Sequence, residues 1–453
     1  MQFQICESLD VLYSRGRKKS RGLRVRGTPV EQHQEKRESM REQETDRSHV
    51  AETEQREGLE RGQRTSVKRN RPPSYNKGYR NEIVKVLLTC GTFSYKSLEL
   101  YGEKKEMCRR KLKKMEEENM LEEFNVEHKK IVRFRKFEAN QFKITKELWP
   151  GYYGHYNNYG IANAEAIART ASRLSQAEKA RRESEIVVMM IKAGVKTTPE
   201  DKARINSEKC IGENETCFYS SLEIKDTGMF KLRMDKTNEQ ERGTINSRVI
   251  GSLIGCGGVY AIYHTGKRPI KWAKSVEGQM AYAISVIARD QYNGNVPAGS
   301  IKECIVIGYT NEVFYKIATS ENNAVLGLNN GYKSLYAIPY DKNGLTIIQQ
   351  MIKPEWREKM KKRVLPDHDH VTNNLGIEAD GIRGAEIAFL FCIPDLSRLC
   401  RFLAALAFSA GQITGEMHYV IYCFDFQKEL VEQLNDGLAE IRTVGLEKAI
   451  LPS

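Results

Sequence analysis

The sequence lacks every common catalytic signature. It holds no P-loop, no GxSxG nucleophile elbow, no HExxH zinc helix and no protein-kinase motif set. The chain is therefore expected not to be an enzyme, and no cofactor is expected. It also lacks any CxxC pair. Its ten cysteines, Cys6, Cys90, Cys108, Cys210, Cys217, Cys256, Cys304, Cys392, Cys400 and Cys423, lie mostly in apolar stretches. A free thiol there behaves as a small hydrophobe, which fits a reducing compartment better than a disulfide framework. Long hydrophobic runs are missing too. The most apolar tract, Leu396 to Ala410, carries Arg398 and Arg401 and is too short to span a bilayer. No apolar signal core precedes a cleavage site, so the acceptor pattern Asn214-Glu215-Thr216 is expected to be a chance match. Acid is in short supply: 59 Asp and Glu face 72 Lys and Arg, leaving a net charge of +13. Like charges oppose compaction, so a polyanionic partner is the natural explanation. A solvated surface serving only solubility is less favoured, because the cations come in clusters.

A hydrophobic fraction of 40% over 453 residues suffices for a sizeable core. Residues 1–74 are expected to be a disordered basic tail, rich in Arg, Glu, Gln and Ser and poor in aromatics. The tail carries an acid-free run through Arg15, Arg17, Lys18, Lys19, Arg21, Arg24 and Arg26, and ends at Pro72-Pro73. Such a tail is either a polyanion contact or a targeting signal. Helices are expected around Ile83 to Leu88, ended by Gly91, and from Lys104 to Phe124 on a narrow apolar stripe. Further helices are expected over Gly160–Ile191, Ser275–Asp290, Pro354–Arg363, Leu396–Ala410 and Gln427–Leu438. Another is expected to open at Thr198-Pro199-Glu200. Strand texture appears in Cys217–Met234 and Cys304–Ala318, with turn signals at Asn329-Asn330-Gly331 and Asp341 to Gly344. No internal repeat is visible. The expected fold is an α-rich α+β protein, with a two-lobed helical body and a minor β element. Its divisions are an N-terminal helical lobe over 75–205, a mixed α/β middle over 206–350 and a C-terminal helical region over 351–453.

The strongest nucleic-acid signal runs from His128 to Tyr159. Lys129, Lys130, Arg133, Arg135 and Lys136 interleave with Phe134 and Phe137, then pass into a Tyr-Gly-rich stretch holding Tyr152, Tyr153 and Tyr156. Single-stranded RNA is held in this way, with cations along the phosphates and aromatic faces under the bases. The competing reading is a core strand with Phe inward and Arg outward, followed by a rigid tyrosine corner. Three further basic groups stand beside it. Lys179, Arg181 and Arg182 lie on the expected helix, and Lys267, Arg268, Lys271 and Lys274 surround Trp272. The third comprises Lys353, Arg357, Lys359, Lys361, Lys362 and Arg363. Each alone reads most simply as a solvated face, and together they point to a groove. The candidate RNA contacts are Lys129, Lys130, Arg133, Arg135, Lys136, Tyr152, Tyr153, Tyr156, Arg181, Arg182, Lys267, Arg268 and Lys271.

Val249 to Gly258 is similar to the GxxG segment of KH domains, in which two helices pinch a glycine loop against the nucleic-acid backbone. It departs by placing Cys256 where those domains have a basic residue, and close packing of glycines is the favoured reading. Pro366-Asp367-His368-Asp369-His370, with Glu378 and Asp380, offers metal-ligand residue types. Alternating neighbours diverge, so a polar loop is expected there and a metal-dependent nuclease site is the lesser alternative.

Basic tail, basic body with aromatic-basic tracts, free cysteines and no catalytic motif together define a character. In this the chain resembles the nucleocapsid (coat) protein of a negative-strand RNA virus, nearest the ophiovirus type, from about Tyr75 to the C-terminus. The resemblance transfers no functional residue. It implies sequence-independent coating of genomic RNA, homo-oligomerisation along the strand and contact with a viral polymerase. It also implies a place in the virion and host cytoplasm, with the nucleus open to the basic tail. The apolar stretch Ile387–Phe426 could dock a neighbouring subunit, although core is the favoured use. A KH-like RNA-binding regulator remains as the alternative.

Overall fold

Short apolar runs with little polar alternation build the centre of the molecule. The structure is a computed structural model and describes residues 79–126, 129–134, 174–198, 201–203, 205, 210–226, 246–292, 301–329, 331–371, 373–374, 377–409 and 417–449. All of them belong to one compact unit that takes in residues 73–453. The expected tail over 1–74 and the expected turn of helix from 160 to 173 lie outside the described residues.

Its largest element is a five-stranded sheet in the order β4 (Thr216–Ser220), β5 (Gly251–Gly255), β6 (Gly258–Gly266), β7 (Glu303–Gly308) and β8 (Ser334–Pro339). The strand β5 runs antiparallel to both its neighbours, β4 and β6, while β6, β7 and β8 are parallel. Parallel neighbours need a crossover, supplied by α5 (Lys274–Gln291) between β6 and β7 and α6 (Asn311–Ala318) between β7 and β8. Successive side chains alternate between two cores. Tyr260, Ile262, Ile305, Ile307, Tyr336 and Ile338 enter one. Ala261, Tyr263, Cys304, Val306, Leu335 and Ala337 enter the other. Helices cover both faces, which is why these strands read as continuous apolar runs. On the first face lie α1 (Tyr79–Cys90), α3 (Leu174–Ala193), α7 (Lys342–Met351) and α8 (Trp356–Val364). On the second lie α5 and α6, with α9 (Leu396–Ser409) and α10 (Lys428–Asn435).

A second sheet repeats the plan. Its order is β11 (Gly381–Arg383), β12 (Glu386–Leu390), β13 (His418–Phe424) and β14 (Glu440–Val444). Again an antiparallel hairpin is followed by two parallel strands reached through helices, here α9 and α10. The chain thus uses hairpin–helix–strand–helix–strand twice, although no repeat shows in the residues. The two sheets are stitched where Ala337 donates its N–H to Pro394 O at 2.9 Å and Asp395 bridges Tyr336. A smaller three-stranded sheet, β1 (Phe93–Ser94), β3 (Lys129–Phe134) and β2 (Leu121–Val126), is joined by α2 (Lys105–Glu117). A two-stranded ribbon, β9 (Asn373–Asn374) and β10 (Ile377–Glu378), the short helices α4 (Ser221–Asp226) and α11 (Leu446–Ala449), and the 3-10 helices Tyr95–Lys104 and Asp425–Gln427 complete the described elements.

The fold class expected from sequence is corrected by this. The protein is a mixed α/β fold, not an α-rich two-lobed helical body with a minor β element. Residues 351–453, read as helical, carry six strands. The helix expected to reach Phe124 stops at Glu117, and the chain turns at Asn119 with φ 59° into β2. Residues after Ser220 form α4 rather than a longer strand, and those after Gly308 form α6. Asp341, read as a turn residue, caps α7 through its carboxylate, which accepts from Gly344 N–H at 2.9 Å. The stretch Ile387–Ile393 is buried core.

Candidate nucleic-acid interface

The parallel strands of the first sheet end at Gly266, Gly308 and Pro339, and the carboxyl edge they share is where open α/β sheets offer a ligand crevice. The loop leaving β6 at this edge is strongly basic. Ile270 to Trp272 pairs with Ala324 to Leu326, through Trp272 N–H to Ala324 O at 2.8 Å and Leu326 N–H to Ile270 O at 2.9 Å. This short ribbon alternates. Ile270 and Trp272 are buried, and Trp272 packs on Tyr263 and Tyr332 with ring centroids 5.4 and 6.1 Å away. Lys271 between them is exposed, as are Lys267, Arg268 and Lys274. None of these four pairs with a described carboxylate.

Their position conflicts with the dipole of the helix they precede. Lys274 opens α5, whose 18 residues direct a partial positive charge at this end, and Ala273 provides no side-chain cap. The one acid of the first turn, Glu277, is turned into the core, where it accepts from Arg248 N–H at 2.7 Å, Ser247 Oγ at 2.8 Å and Tyr263 OH at 3.2 Å. Positive groups massed at a helix N-terminus with no neutralising acid are locally unfavourable and suit a polyanion.

The other candidate cations are placed differently. Arg181 is a correction: it is 1% exposed and cannot reach an RNA. Arg182 is half-buried, paired with Glu178, and donates to His264 O at 3.2 Å. Lys130 and Arg133 lie on β3 and pair across the hairpin with Glu123 and Glu122, and the Lys130 ammonium stands 4.8 Å from the Tyr95 ring. Lys129 opens the same strand. Ile131 and Val132 are buried between them, so this end of the tract is a core strand with its cations outward. Arg135, Lys136, Tyr152, Tyr153 and Tyr156 lie outside the described residues. In the third basic group Arg357 donates to Glu303 at 2.7 Å and Lys361 approaches Asp380 at 3.2 Å, so both serve the body of the protein.

The two alternative sites resolve into scaffold. Val249 to Gly258 forms the β5–β6 hairpin, with Cys256-Gly257 at its tip, and not a loop between two helices. A Cβ on Gly257 would stand 1.8 Å from Met351 O, so this glycine permits close backbone packing. In the histidine loop His368 Nε2 lies 2.8 Å from Glu386, and His370 Nε2 lies 3.1 Å from Leu365 O. Glu378 and Asp380 accept from Arg398 and Arg401. No group of three His, Cys, Asp or Glu among the described residues is placed to hold a metal.

A buried polar cluster beneath the basic loop escaped sequence reasoning. Glu185 on α3 accepts from Arg181 and Ser94 at 2.7 Å each and from Tyr309 OH, and His264 Nε2 lies 2.8 Å from its Oε2. Tyr340 OH donates to the Glu185 carbonyl at 3.1 Å. Burial alone would raise the Glu185 pKa. The hydrogen bond from His264, the Arg181 charge and the Tyr309 hydroxyl outweigh it and hold the carboxyl at about 2. Burial, with Arg181 and Arg182 nearby, pushes His264 below its ordinary value despite Glu185. These partners are 79 to 124 residues apart along the chain for His264 and Tyr309, and no local spacing marks them. Comparison of the chain with protein families, with curated proteins and with solved structures returns no match to any of them. Among the described residues no helix is long and apolar enough to cross a membrane.

Proposed function

We propose that this chain is a nucleocapsid protein that coats single-stranded RNA without sequence preference and assembles into a ribonucleoprotein. The observation that carries the reading is the basic loop. Four exposed cations, Lys267, Arg268, Lys271 and Lys274, stand without acid partners among the described residues at the carboxyl edge of the parallel strands β6, β7 and β8, in a chain of net charge +13. Cations in this state neutralise phosphates and read no base, so affinity comes from counterion release and is sequence-tolerant. The tail and the aromatic-basic tract from residue 135 onward would extend the same contact along the strand. Viral genomic RNA, a second copy of the chain and a viral polymerase are the partners this function requires, in the virion and the host cytoplasm. The test is binding of the full chain to several unrelated single strands, for the parent and for Lys267→Glu/Arg268→Glu/Lys271→Glu/Lys274→Glu. We expect similar affinity for all strands and a loss of at least tenfold in the variant. A strong preference for one sequence would favour an RNA-binding regulator instead, and unchanged binding in a folded variant would remove the loop from the interface.

A further inference from the structure

The turn that starts the basic loop is held by a buried imidazole. His264 lies near the end of β6 and is 1% exposed. Its Nδ1 accepts a hydrogen bond from Gly266 N–H at 3.1 Å, so the ring proton resides on Nε2 and is donated to Glu185 Oε2 at 2.8 Å. Gly266 has φ +68°, a left-handed conformation that suits glycine, and the next two residues are Lys267 and Arg268. The Gly266 carbonyl accepts from Tyr309 N–H at 2.9 Å, which ties the same turn to the end of β7. The charged and titratable groups around the ring are Glu185, Arg181 and Arg182 from α3, with Tyr309 and Tyr340 beyond β7 and β8.

We infer that His264 is an acid-operated latch for the basic loop: neutral, it holds the Gly266 turn, and protonated at Nδ1, it releases it. The balance is simple. A solvent proton adds to the Nδ1 lone pair, no covalent bond breaks, and Nδ1 becomes a donor facing the Gly266 N–H donor. That hydrogen bond is lost, while the Nε2–H bond to Glu185 is kept and gains charge assistance. Burial and the two flanking arginines resist the added charge, so the latch opens below the ordinary imidazole range. The consequence for RNA rests on the reading of the loop as its contact, but the latch itself does not.

The experiment is hydrogen exchange of the full chain at about pH 7.5 and about pH 5, either side of the imidazole range and corrected for intrinsic rates. RNA affinity is measured alongside. Amides of residues 264–274 are expected to lose protection in acid by about two- to tenfold, the size of one hydrogen bond, while those of β7 keep theirs. Two variants separate the ring's two contacts. His264→Gln keeps a donor for Glu185 but offers no acceptor to Gly266, and should leave the loop loose at both pH values. His264→Asn keeps the acceptor and should leave the loop protected at both. Equal loop protection of the parent at the two pH values would overturn the latch, and so would an equal rise in β7 exchange. A loop that loosens in acid with no change in RNA affinity supports the latch and removes the loop from the RNA interface.

Discussion

Glu185 and Glu386 carry nearly the same set of partners in very different surroundings. Each accepts from a histidine, a tyrosine and an arginine, His264, Tyr309 and Arg181 around the first and His368, Tyr422 and Arg442 around the second, with Ser94 added at Glu185 and Arg383 at Glu386. Both carboxyls are held at about 2, against the opposing pull of burial, by those hydrogen bonds and charges. Yet Glu185 and Arg181 are sealed at 0% and 1% side-chain exposure, at the carboxyl end of the first sheet, whereas Arg442 beside Glu386 is 34% exposed. The donor set fixes the ionisation, and burial decides what losing a partner costs. Water can replace a lost partner at Glu386. At Glu185 it cannot, so the cluster there is a rigid base from which the basic loop projects.

The largest effect that sharpens the comparison is removal of each carboxylate. Glu185→Gln leaves Arg181 charged and buried with only the longer contact to Glu178, at 3.5 Å, to balance it, and should cost about 3–5 kcal/mol in denaturant unfolding. Glu386→Gln, at a partly solvated site, should cost roughly 1 kcal/mol or less. Equal losses would show that the two clusters are not distinguished by burial.

The two hairpins give a smaller contrast. Gly257 at the tip of the first is pressed against the Met351 carbonyl, whereas Gly384 in the second has φ +60° and open space around it. Gly257→Ala should destabilise by at least ~1–3 kcal/mol through overpacking, with RNA binding lost only as the protein unfolds. Gly384→Ala carries only the strain of its backbone, about 1 kcal/mol. A folded Gly257 variant that no longer binds RNA would restore the KH-like reading of that segment.

Acid should separate the clusters again. His264 has a lowered pKa in the folded state, so the unfolded chain takes up a proton that the native chain refuses. Its contribution is fully present above the unfolded value near 6.5 and declines as pH falls below it. Glu185, lowered to about 2, adds a further loss as pH falls from the ordinary carboxylate range toward that value. The melting temperature should therefore begin to drop below about pH 6.5 in the parent, and the part of the drop that precedes the carboxylate range should be smaller in His264→Gln. Identical profiles would remove His264 from the account.

Legibility in the sequence followed range. The helix Leu396–Ser409 and the basic group around Trp272 are local patterns, and both were visible. Strand texture after Cys217 and Cys304 was visible too, but most strands of the two sheets were not, because strands buried on both faces, such as Ser334–Pro339 and Glu386–Leu390, show no polar alternation and resemble helix segments of a core. Arg181 looked like a surface cation because its carboxylate partners, Glu178 and Glu185, suit an exposed helix face equally well, and Tyr309, which accepts its hydrogen bond in the core, is 128 residues away. Charge clustering locates cations along the chain. It does not tell which of them the fold has already paired.

That distinction is measured most directly by the salt dependence of RNA binding. The parent and the variant Lys267→Ala/Arg268→Ala/Lys271→Ala/Lys274→Ala are titrated with one single strand across a salt series, with melting curves to confirm folding. Each phosphate contact on a single strand contributes about 0.7 to the slope of log affinity against log salt, so losing four should flatten it by roughly 3. Neutralising the paired cations Lys130 and Arg133 should leave the slope nearly unchanged. An unaltered slope in the folded loop variant would contradict the account.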